Sequence, residues 1–100
     1  MFIVVDKFEI LNVHLFSFEN DWRLRAEKLE NAKGFVQFEL MRGNVLQNFT
    51  CYNCQTKWMN KEYFLAWMNS ENFHEIRKEC PPNFSFHHSV PRHECFEQVI

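Results

Sequence analysis

Residues 2–10 alternate with a period of two: Phe2, Val4, Asp6, Phe8 and Ile10 fall on one face, and Ile3, Val5, Lys7 and Glu9 on the other. That alternation predicts a β-strand whose first face is apolar except at Asp6. Asn12 is placed to cap a helix over about 13–31, where Leu15, Phe18, Trp22, Ala26 and Leu29 recur at three- and four-residue steps as one apolar stripe. Lys33-Gly34 supplies its C-terminal break, and Phe35 to Met41 read as a second strand with Val36, Phe38 and Leu40 on a shared face. Arg42-Gly-Asn44 reads as a turn into a third strand over 48–58, an antiparallel neighbour of the second. Asn60 opens a second helical region with Phe64, Trp67 and Met68 on its apolar side. Ser70 looks like a fresh cap for a last stretch carrying Phe73 and Ile76, which Pro81-Pro82 stops. Residues 81–91 have loop chemistry, and Glu94 to Ile100 close the chain as a fourth strand.

The order β-α-β-β-α-β predicts an α+β, ferredoxin-like domain with both helices on one face of a four-stranded sheet. The other face then stays bare while still carrying apolar residues. Pairing two such sheets face to face covers it, so the pattern points to a homodimer, a dimeric α/β-barrel.

Composition sharpens this. The 100 residues suit one domain spanning 1–100. Apolar residues make up 46% of the chain, with 12 Phe and 3 Trp, more large apolar side chain than a monomer this size readily hides. An aromatic-lined cavity or a partner surface is expected. With 11 basic against 13 acidic residues and no Lys/Arg cluster, the chain lacks the electrostatic footprint of a nucleic-acid binder. No apolar run approaches the ~20 residues of a membrane span. The start, MFIVVDKFEI, is broken by Asp6 and Lys7 and lacks the features of an export signal. The expected location is therefore cytoplasmic or an organelle interior, not secreted, with Cys51, Cys54, Cys80 and Cys95 as free thiols.

Three segments then carry a likeness: Gly34-Phe-Val-Gln-Phe-Glu-Leu-Met-Arg42, Thr56-Lys-Trp58, and Glu62 to Phe73 with its F-x-x-W-x-x-S-x-x-F spacing. Together they resemble the antibiotic biosynthesis monooxygenase (ABM) superfamily, and within it the IsdG-type heme-degrading branch, over roughly residues 2–79. The resemblance implies a homodimer with one pocket per subunit between sheet and helices, holding a small aromatic or tetrapyrrole ligand. In the heme-degrading branch the cofactor is heme, held by a histidine on the second helix, with a first-strand asparagine and a helix tryptophan beside the ring. Other members oxidise aromatics with no prosthetic group.

Carried across residue by residue, the tryptophan is Trp67, the asparagine position is Asp6, and the histidine position, four residues after Phe73, is Arg77. Arginine is always protonated and offers no lone pair to iron. His74, three residues before Arg77, could ligate iron only with the helix rotated or the heme seated differently. The expected site is therefore Asp6 and Trp67 as catalytic residues, Phe73, His74 and Arg77 against the ligand or cofactor, and His74 as metal ligand. His87 and His88 in the following loop are secondary contacts.

Plainer readings stand beside these. Asp6 pairs with Arg77 in a structural ion pair, Trp58, Trp67 and Phe73 build core, and His74 is solvated beside Glu75. On those terms the chain is a non-catalytic dimeric binding protein that has lost the heme ligand. Cys51-Tyr-Asn-Cys54 has zinc spacing, with Cys80, His87, His88 and His93 as further donors. In a strand, however, residues three apart face opposite ways, so this zinc-module reading needs the strand to break there.

Overall fold

The structure is a computed structural model and describes residues 1–79 and 84–100. The expectations placed on Cys80 and on the Pro81-Pro82 stop lie outside the described residues. In chain order the elements are β1 (Phe2–Leu11), a 3-10 turn (Asn12–His14), α1 (Leu15–Leu29), β2 (Phe35–Val45), β3 (Phe49–Trp58), α2 (Lys61–Met68), α3 (Glu71–Glu79), a second 3-10 turn (Phe84–Phe86) and β4 (Arg92–Glu97). The sheet is antiparallel with strand order β2-β3-β1-β4. This is the split βαβ arrangement of an α+β ferredoxin-like fold, with α2 and α3 together filling the place of the second helix.

Local chemistry sets most boundaries. Gly34 takes φ 79°, and a Cβ there would lie 2.2 Å from the Tyr63 ring, so only glycine can make this turn into β2. Asn60 caps α2 by accepting the backbone N–H of Tyr63 at 3.1 Å. Ser70 caps α3 by accepting that of Phe73 at 3.2 Å, while its own hydroxyl donates to the Trp67 carbonyl.

Four expectations change. Asn12 caps nothing: its amide donates to the carbonyls of Leu46 and Gln47, and its carbonyl accepts the hydroxyl of the buried Thr50. Arg42-Gly-Asn44 is not the turn either. β2 runs on to Val45 through an irregular register, and the chain reverses over Leu46–Asn48, where the Asn12 amide holds the two carbonyls. A second irregularity between Phe35 and Gln37 leaves Val36 off the face that Phe38 and Leu40 share. β4 begins at Arg92 rather than Glu94, which brings His93 into register opposite Asp6.

The core divides in two. One cluster gathers Phe2, Val4, Leu29, Trp58, Trp67 and Ile76; the other gathers Ile10, Phe18 and Tyr52. Trp58 is fully buried, with Phe35, Phe64 and Trp67 around its ring at centroid distances of 5.5–6.4 Å. α1 is fastened over the sheet by Glu19, whose carboxylate accepts the Tyr52 hydroxyl at 2.5 Å and pairs with Arg42. The Tyr52 and Arg42 hydrogen bonds hold the Glu19 carboxyl below its ordinary range, and burial pushes the Tyr52 phenol up.

A folded-state pKa lowered in this way stabilises the protein above the unfolded value near 4.5, and the contribution disappears as pH falls through the lower folded value. Glu19→Gln is therefore expected to lower thermal stability at pH 7 by about 1–3 kcal/mol. The gap from wild type should narrow as the pH is taken below that range, as read by thermal unfolding at a series of pH values. A gap that stays constant with pH shows that the Glu19 charge is not what matters.

Candidate functional site

Between the two core clusters the helices and the sheet do not close, leaving a cavity of about 410 Å³. Its floor is the inner face of the sheet. Asp6 on β1 is paired in register with Cys54 on β3 and His93 on β4, so these three form one cross-strand row. Phe8, Phe18 and Trp22 wall one end, and Trp58, Trp67, Phe73 and Ile76 the other. The volume and apolar lining fall within the range of small-molecule sites.

The strand pattern put Asp6 on an apolar face, where a lone carboxylate is costly. Its partner is His93, whose Nδ1 stands 2.5 Å from Asp6 Oδ1. The expected Asp6–Arg77 pair does not form. The Arg77 guanidinium instead lies over the Phe73 ring, 5.1 Å from its centroid, and lines the cavity from α3. A β4 that starts at Glu94 leaves His93 outside the strand, whereas the observed strand starts at Arg92 and includes it. Placing His93 two before Cys95 on a single strand is the signal that would have found the pair. On the far side of the imidazole, Nε2 stands 3.4 Å from Cys95 Sγ, a weak thiol contact.

Of the other expected site residues, Trp67 and Phe73 line the cavity with ring centroids 6.1 Å apart. His74 does not: it is exposed on α3 and is absent from the lining. His87 does line it, packed between Phe8 and Phe18 at 5.7 and 6.4 Å, and burial pushes its imidazole below the ordinary histidine value. His88 turns away and stacks on Phe49 at 4.1 Å. Arg25, three residues after Trp22 and four before Leu29, lines the cavity and lies 5.0 Å from the Trp22 ring centroid. Its helical spacing from those two apolar residues was readable in the sequence.

β3 stays unbroken through the Cys51-x-x-Cys54 segment. Cys54 points into the cavity wall at 1% exposure, where burial pushes its thiol up, while Cys51 faces the other side of the sheet. The two thiols cannot share an ion. Among the described residues no group of three His, Cys, Asp or Glu is placed to hold a metal.

The sequence profile of the family described as "Antibiotic biosynthesis monooxygenase" (ABM) matches residues 1–79. The chain belongs to this family. Solved structures agree on the fold of this ABM domain. A Nitrosomonas europaea protein described as an antibiotic biosynthesis monooxygenase superposes with a TM-score of 0.79 at 9% identity, covering all of both chains. The heme-degrader MhuD of Mycobacterium tuberculosis, with two hemes bound in its active site, gives 0.71 at 23% identity over 100% of this chain and 97% of its own. A mutant of SnoaB, a cofactor-independent oxygenase from Streptomyces nogalater, gives 0.73 at 16% identity over 99% and 93%. No curated protein sequence matches the chain. These neighbours differ in chemistry, so what this ABM domain does depends on its own side chains. Among the described residues, no helix is long and apolar enough to cross a membrane.

Proposed function

We propose that this protein is an ABM-type, oxygen-dependent monooxygenase whose ligand is a small aromatic molecule held in the cavity between sheet and helices. The observation that carries the proposal is the Asp6–His93 pair on the floor of a pocket walled by aromatic side chains at both ends. A carboxylate on Nδ1 orients the imidazole and selects the tautomer in which Nε2 is the acceptor, which places Nε2 to take a proton from an acidic phenol or an activated methylene. The Cys95 thiol near Nε2 is a weak donor that a substrate group displaces. Trp67 and Phe73 hold the ring. A substrate deprotonated at a methylene is electron-rich enough to reduce O2 itself: the carbon gains an oxygen, water leaves, and the methylene becomes a ketone.

Dithranol, an anthrone with such a methylene, is the test substrate. Oxygen uptake above the spontaneous rate is expected with the wild type, and His93→Gln should cut the protein-dependent part by about 10²-fold. No acceleration by the wild type, or an undiminished rate in the variant, would sink the proposal.

One observation favours a heme-binding version. Arg77 cannot bind iron, and His74 faces away, but His87 presents an imidazole at the cavity wall, where burial pushes its pKa down and so favours the neutral form that a metal ligand needs. Arg25 and Arg77 offer cationic partners for propionates. Heme, when bound, would supply oxygen activation at iron; the chain would supply the ligand and the aromatic walls. Hemin titration should then give a saturating Soret shift at stoichiometric heme that His87→Ala abolishes and His74→Ala leaves intact. A wild type without saturation removes the heme version.

A homodimer completes the proposal. The sheet face away from the helices carries Ile3, Val5, Leu11, Val36, Met41, Phe49 and Phe96, with Met41 43% and Phe96 47% exposed. A second copy of the same face covers it. Light scattering at micromolar concentration is expected to read a dimer for the wild type and a monomer for Phe96→Lys; a monomeric wild type removes this part.

A further inference from the structure

The cavity has polar groups at two places, on its sheet floor and on its helix side, with aromatic walls between. On the floor the Asp6–His93 pair is internally compensated. On the helix side, Arg25 of α1 shares its helix with Asp21, four residues earlier, which also lines the cavity. Arg77 of α3 has no such neighbour. Among the described residues its contact is the face of Phe73, and no carboxylate lies within ion-pairing distance of it. With its Cζ 5.1 Å from the Phe73 centroid and the side chain on the cavity lining, the guanidinium keeps its N–H donors for a ligand. The planar fork of guanidinium donors matches a carboxylate bidentately.

We infer that the ligand of this cavity carries a carboxylate that Arg77 grips, so that the substrate class is an aromatic acid. This rests on the proposed use of the cavity as the ligand site. The ring lies between Trp67, Phe73 and the aromatic side chains of α1. The carboxylate meets Arg77, and the ring edge bearing the acidic proton meets His93. The same geometry accounts for arginine at this position of α3: it anchors the ligand's acid group directly.

The test is calorimetric titration with 2-naphthoate and with its neutral counterpart 2-naphthalenemethanol, on the full chain. The wild type is expected to bind the acid about tenfold more tightly than the alcohol. Arg77→Gln should erase that preference by weakening the acid alone, Arg77→Lys should retain part of it because a point charge replaces the fork, and the exposed Arg23→Gln should leave it unchanged. Arg77 is exposed on α3, so the variants should keep the wild-type circular dichroism. Equal binding of acid and alcohol by the wild type, or a preference that survives Arg77→Gln, overturns the inference. If dithranol is still oxidised in that case, the oxygenase reading stands without the acid anchor. If neither naphthalene binds, the inference falls, and the dithranol assay decides the oxygenase reading separately.

Discussion

The structure turns on a carboxylate set in the middle of the sheet's inner face. β1 runs Phe2, Val4, Asp6, Phe8, Ile10 toward the helices, and closing the core over Asp6 would strand a charge at a cost of several kcal/mol. Instead α1 spans the position, giving Phe18 to one cluster and Leu29 to the other, with α2 and α3 packed at the Leu29 end. Phe2 and Val4 join one hydrophobic cluster and Ile10 the other, and the gap between them is the cavity. Asp6 keeps its charge tolerable by taking His93 from the neighbouring edge strand. One polar residue in an apolar series thus sits where the core divides, and its partner His93 lies beside it on the cavity floor.

Holding a cavity open requires that the surrounding elements cannot slide into it. At one end the Glu19–Tyr52–Arg42 network ties α1 to β2 and β3. At the other, the rings around the fully buried Trp58 set the distance between α2 and the sheet. Interiors packed at this density resist small displacements, so the empty space persists as a shaped site.

Family membership settles the fold, while the lining of the cavity is this chain's own. Asp6 and Arg77 reach the cavity from β1 and α3, and His93 brings an imidazole to it from β4. Relatives with this fold include both heme-degrading and cofactor-independent oxygenases. Side chains on a pocket wall can change which molecules the pocket holds without disturbing the packing beneath.

The sequence by itself determined the element order, the apolar faces of β1 and α1, the glycine turn at Gly34 and the caps at Asn60 and Ser70, because each depends on neighbours within a few residues. It also determined that Cys51 and Cys54 face opposite ways, since that follows from the strand period alone. It misassigned Asn12 and the Arg42-Gly-Asn44 segment because their side chains answer to partners more than twenty residues distant or to a register irregularity that carries no local signature. Only the tertiary structure decided that Asp6 meets His93 rather than Arg77, that His74 faces outward and that His87 enters the wall. Those outcomes depend on the register of β4 against β1 and on the orientation of α3, which long-range packing sets and no local pattern encodes.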